Sequence, residues 1–169
     1  MPGCLLSLVL FLIVAGGQNT AVRVRPTTLP AIPHDIAVKL EAQGCLVPLV
    51  HTGQTYANVA RGSFARKGQI DIAVLCVEGH HSRILVFWGR PTACSAAIDD
   101  RVSKRMEGAA VDADRVILAV NVRDVAAWSG PPEPGVMTHD GIEDMWAEKT
   151  AVVHYCEAGR WRVVARASS

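Results

Sequence analysis

The densest group of side chains able to move a proton or hold a metal is His139-Asp140-Gly141-Ile142-Glu143-Asp144. Carboxylates such as Asp140 and Glu143 beside the imidazole of His139 are the residue types of general acid–base catalysis or of a small cation site. The spacing also has a structural meaning. An Asp followed three residues later by a Glu is a capping box, in which the two side chains satisfy the free N–H groups of a helix start. That reading predicts a short helix from Asp140 through Trp146, with Ile142, Met145 and Trp146 as its apolar stripe. His154 completes the candidate set. A catalytic role for His139, Asp140, Glu143 and His154 requires His154 to come within hydrogen-bonding or shared-ligand distance of the 139–144 segment.

Other possible sites are sparser. His80 and His81 sit with Glu78 at a turn, but neighbours in an extended segment point to opposite sides and do not readily share one ion. His34 and His51 have no patterned partner. There is no G-x-S-x-G nucleophile elbow and no Gly-rich phosphate loop. Among Trp88, Trp128, Trp146 and Trp161, Trp128 is the candidate binding residue. It stands beside the proline-rich stretch Ser129–Gly135, and an aromatic next to such a loop is a natural recognition edge. Neither a metal nor a cofactor is expected.

The elements that must position these residues are legible in outline. Residues 22–32 read as an extended lead-in. Pro33 to Gly44 reads as a helix, with Pro in the first turn, Gly as the stop, and Ile36 and Leu40 on one face. Ile70–Val77 and Ile84–Trp88 flank a Gly-containing turn and form a hairpin. Both runs are apolar at nearly every position, which places this hairpin at the centre of the sheet with both faces covered. Ser95 can cap a second helix from Ala96 to Met106, where Ile98, Val102 and Met106 recur every four residues. Val116–Val122 reads as a strand. The last hairpin, Ala151–Cys156 with Trp161–Ala165, turns at Ala158-Gly159. It sets Glu157 opposite Arg160 and Cys156 opposite Trp161, with Trp161, Val163 and Ala165 on the face away from Arg162, Val164 and Arg166. The pattern predicts one α+β domain, residues 33–169, with a mainly antiparallel sheet and two or three short helices.

Composition narrows the function classes. The formal net charge is +1 and the basic residues are scattered, so the clustered face that a nucleic acid requires is missing. Residues 1–21 carry no charge, and the apolar run Leu5–Val14 is followed by AGGQNTA, the shape of a signal peptide cleaved after Gly17 or Ala21. The run is too short for the roughly twenty residues of a membrane span, so no stable membrane insertion is expected. Cys4 precedes the run and is not placed for lipid attachment. Cleavage leaves Cys45, Cys76, Cys94 and Cys156, an even set that implies two disulfides in a secreted or periplasmic protein. Four cysteines allow three pairings. The sequence does not choose among them, although Cys45–Cys76 with Cys94–Cys156 is favoured.

Gly62-Ser63-Phe64-Ala65-Arg66-Lys67-Gly68-Gln69-Ile70-Asp71-Ile72-Ala73-Val74-Leu75 resembles the loop-and-strand unit of FG-GAP repeats. That family's loop carries aspartates that bind calcium, whereas Ala65-Arg66-Lys67 here is cationic and does not supply such a ligand set. Together with the segment 139–149 and the closing hairpin, the stretch is similar to uncharacterised secreted bacterial proteins with a single FG-GAP-like motif. The resemblance implies an exported bacterial domain and no particular activity. The expectation is a non-enzymatic module that binds a protein or cell-envelope component. The alternative is a small extracytoplasmic hydrolase or metal-dependent enzyme.

Overall fold

The computed structural model describes residues 22–51, 55–56, 58–79, 81–102, 115–121, 123–124, 138–146 and 150–165. The leader 1–21, His80, Trp128, the 129–135 stretch and residues 103–106 of the expected second helix lie outside the described residues. Within them the chain forms strand β1 (Val22–Val24), a 3-10 turn (Pro26–Thr28) and helix α1 (His34–Ala42). There follow β2 (Val47–His51), β3 (Thr55–Tyr56), β4 (Val59–Gly62), β5 (Asp71–Glu78), β6 (His81–Phe87) and β7 (Ala97–Val102). The last four are β8 (Arg115–Val120), β9 (Gly141–Trp146), β10 (Thr150–Glu157) and β11 (Arg160–Ala165). They make a small sheet β1-β2-β3 and two four-stranded meanders, β4-β5-β6-β7 and β8-β9-β10-β11. All strand pairings are antiparallel.

Helix α1 forms where the sequence places it. Pro33 occupies the N-cap, Asp35 lies in the first turn and Lys39 in the last, each opposing the local end of the helix dipole. Gly44 ends the helix at φ +75°, a left-handed conformation that costs glycine little. Ala37 and Leu40 are buried. Directly after them Cys45 is bonded to Cys76 of β5, with Cα atoms 5.3 Å apart.

Strand β5 explains why its sequence is apolar without alternation. Ala73 and Leu75 face one core with Ala60, Phe64, Ile84, Val86, Ile98, Ile117 and Ile142. Ile72, Val74 and Cys76 face a second core with Ile32, Ala37, Leu40, Cys45 and Val47. Successive residues of a strand point to opposite sides, so one strand serves both cores. Truncating Leu75, fully buried between the meanders, is a large-to-small change of the kind that costs about 2–5 kcal/mol. Its partner β6 is fully buried only at Ser82, Ile84 and Val86, so the expected two-sided cover holds for β5 and is partial for β6.

Two expected helices are strands. The stretch that was to open the second helix is β7, and the Asp140–Trp146 segment is β9, paired with β8 on one side and β10 on the other. A repeat of four residues is also a multiple of two, so Ile98, Val102 and Met106 satisfy a strand period as well as a helical one. Ladder pairing on neighbouring strands then decides. The Ser95 hydroxyl does accept the N–H of Ala97, 3.1 Å away, but as a local turn leading into a strand. Besides α1, only Arg123 and Asp124 are α-helical among the described residues, and the fold is mainly antiparallel β.

The closing hairpin has the expected register, with Glu157 opposite Arg160 and Cys156 opposite Trp161. Its turn takes positive φ at both Ala158 (47°) and Gly159 (79°). Trp161 packs inward against the core between the meanders, while Val163 stays 54% exposed because β11 is an edge strand. Cys94 and Cys156 form the second disulfide, Cα atoms 6.1 Å apart, tying the segment before β7 to β10. No helix among the described residues is long and apolar enough to cross a membrane.

Candidate functional site

Strand β9 divides the candidate cluster. Ile142 stands opposite His154 in β10, Glu143 opposite Val153, and Asp144 opposite Val152. Alternation therefore puts Asp144 on the face of His154 and Glu143 on the other. His154 Nε2 lies 3.3 Å from Asp144 Oδ2. A carboxylate only accepts, so Nε2 is the donor. Arg115, the first residue of β8, donates through Nε to Asp144 Oδ1 and through Nη2 to Oδ2, each at 2.8 Å. Its Nη1 donates to the hydroxyl of Ser82 at 2.7 Å and to the Ser82 carbonyl at 3.2 Å, joining the two meanders. Asn58 braces the same corner. Its Nδ2 donates to the carbonyls of Pro48 and Arg115, and its Oδ1 accepts the N–H of Ile117.

This network is sealed, with Asp144 at 0%, Arg115 at 1% and His154 at 3% exposure. Burial by itself would raise the Asp144 carboxyl. The hydrogen bonds from His154 and Arg115, together with the positive charge of Arg115, outweigh it and hold the group below the ordinary carboxylate range. His154 Nδ1 is buried without a hydrogen-bond partner. An acid and an imidazole thus meet, but at a depth where the pair joins sheets and is not open to a substrate.

His139 and Asp140 precede β9 and lie at the end of the sheets. The His139 ring stacks on Tyr155, centroids 4.3 Å apart and planes at 11°. Its Nδ1 faces the carbonyl oxygen of Asp140 and its Nε2 that of Cys156, each at 3.0 Å. The Tyr155 hydroxyl accepts the N–H of Thr138 at 2.7 Å. Asp140 Oδ2 accepts the Ser63 N–H at 2.8 Å, and the Asp140 N–H returns to the Ser63 carbonyl at 3.1 Å. Ser63, Lys67, Asn121, Arg123, Thr138, His139 and Asp140 line an open cavity of about 430 Å³. With both ring nitrogens facing main-chain carbonyls, His139 activates no hydroxyl there.

The neighbouring loop is organised by Asp71. Its Oδ2 accepts the N–H groups of Phe64 and Ala65, and its Oδ1 those of Gly89 and the Gln69 amide. Gly89 can approach because it lacks a Cβ, which would stand 2.2 Å from the Ile70 carbonyl oxygen. Asp71 thus fixes the chain from Phe64 onward, and with it the wall that carries Lys67.

The remaining candidates are dispersed. His34 opens α1 and is exposed. His81, Glu78, Arg83 and Cys76 line a smaller cavity of about 200 Å³. Trp88 and Trp161 stack at 5.6 Å, and Trp161 Nε1 donates to the Ser95 carbonyl at 3.0 Å. No group of three or more His, Cys, Asp or Glu among the described residues is arranged to hold a metal. Arg115, Ser82 and Asn58 belong to no motif. A usable signal was the single charge set beside or inside an apolar run, as in Arg115-Val-Ile-Leu-Ala-Val and Ile70-Asp71-Ile-Ala-Val-Leu, since a charge buried there must be paired.

Fold and site define a disulfide-bonded, mainly antiparallel β protein with an open cavity at one end of its paired meanders. Comparison with protein-family models, with curated proteins and with solved structures finds no match.

Proposed function

We propose that this chain is an exported, non-enzymatic binding domain that holds a protein or cell-envelope component at the cavity around Asp140. One observation carries the reading. The acid–imidazole contact between β9 and β10, Asp144 with His154, is sealed in the interior, while the open cavity contains a histidine whose two nitrogens face the main chain. The apolar leader Leu5–Val14 and the two disulfides support export.

The test uses the full chain made in an exporting host. The secreted product is expected to begin just after Gly17 or Ala21 and to contain no free thiol. On immobilised protein, cell-envelope extract is expected to yield a defined bound component that is lost with Asp140→Asn. Hydrolase or metal-dependent activity abolished by His154→Gln in a protein that still folds overturns the reading in favour of an enzyme.

A further inference from the structure

From the charges lining the cavity we infer that it takes a small hydroxylated carboxylic acid, the chemistry of an acidic sugar. The inference rests on the binding-domain reading and specifies its ligand class.

Two cationic side chains, Lys67 from the β4–β5 loop and Arg123 from the segment after β8, line the cavity, and both are exposed. Among the described residues the lining has one carboxylate, Asp140. No ion pair between Asp140 and either cation occurs among the described residues. Asp140 is instead oriented by the Ser63 N–H on Oδ2. Asp124, the sequence neighbour of Arg123, accepts from the Asn121 amide. The cavity therefore offers two cations for an incoming anion and one fixed acceptor for a neighbouring hydroxyl. An arginine fork matches a carboxylate in two parallel hydrogen bonds, and a lysine supplies a second point charge. Ser63 and Thr138 line the same cavity, and hydroxyl side chains suit a ligand with several hydroxyls. The volume, about 430 Å³, lies within the range of small-molecule sites. His139 forms a wall and keeps its nitrogens for the main chain, so the selectivity is one of charge and hydroxyl placement.

Titration calorimetry of the full oxidised protein at low salt, with glucuronate and glucose as probes, tests this. Glucuronate is expected to bind at least tenfold more tightly than glucose, with affinity falling as salt is raised. The exposed pair Lys67→Ala and Arg123→Ala is expected to remove that preference while leaving the unfolding midpoint in place. Equal binding of the two sugars, binding of neither, or a preference that survives the double variant overturns the inference. If these fail while envelope capture still depends on Asp140, the ligand class falls and the binding-domain reading stands. If capture fails as well, both fall.

Discussion

The two ends of one short segment meet opposite fates. His139 and Asp140 reach an open cavity, and Asp144, four residues on, is locked beneath both meanders by Arg115 and His154. The chemistry of the side chains is similar, but their surroundings are not. At the cavity, main-chain groups hold a buried His139 and an Asp140 that remains partly accessible. In the interior, every oxygen of Asp144 is matched by a charged or ring donor because water cannot do it. Strand parity and distance from the sheet end, more than clustering in sequence, decide which titratable residues are available for work.

The contrast is broken most strongly at its buried end. Asp144→Ala removes the carboxylate that the Arg115 guanidinium grips at 1% exposure, and denaturant unfolding is expected to show a loss of about 3–5 kcal/mol. Replacing both partners, Arg115→Met with Asp144→Leu, is expected to cost less than that single change, since no charge is left unpaired. A loss below 1 kcal/mol for the single variant would mean that water reaches Arg115.

A milder probe is acid. The Asp144 carboxyl is depressed in the folded protein, so its stabilisation is present above the ordinary carboxylate value of about 3.9 and is lost as pH falls through the lower folded value. The unfolding free energy of Asp144→Asn is therefore expected to fall less steeply than that of the parent below that value. Parallel acid limbs would show that other carboxylates carry the loss.

The smallest effect belongs to the cavity. Asp140→Ala removes the acceptor of the Ser63 N–H at a half-buried position, and a loss of roughly 1 kcal/mol is expected. A loss as large as that at Asp144 would erase the distinction between the two ends.

Much of the scaffold was legible because its signals are local. Pro33 and Gly44 bracket α1, and the turn at Gly159 marks a hairpin whose register follows from counting outward. The hairpin at Gly79 is legible too, but its turn is tighter than the stretch 78–82 suggests, since Glu78 pairs with His81 and Val77 with Ser82. The favoured disulfide pairing is the one formed. The segments 96–106 and 140–146 were misjudged for a reason that no local count removes. Their apolar spacing fits both periods, and the strands that claim them lie elsewhere in the chain. The site was harder still. Asp140 does have an N–H partner, as a capping residue must, but it belongs to Ser63, 77 residues away. Arg115 reaches Ser82 across 33 residues and Asp144 across 29. Such contacts exist only once the meanders pack, so a single sequence shows the groups and not their partners.

The two disulfides close in series along the chain. Cys45 and Cys76, 31 residues apart, both precede Cys94 and Cys156, which span 62 residues, so neither loop contains the other in sequence. A polypeptide delivered amino end first into an oxidising space can complete the upper bridge before the lower pair has arrived. Cys94 then waits with one vacant partner, Cys156, carried in by the final hairpin. Oxidation in order of arrival yields the native pairing without a proofreading step, whereas oxidation of the finished, unfolded chain must choose among three.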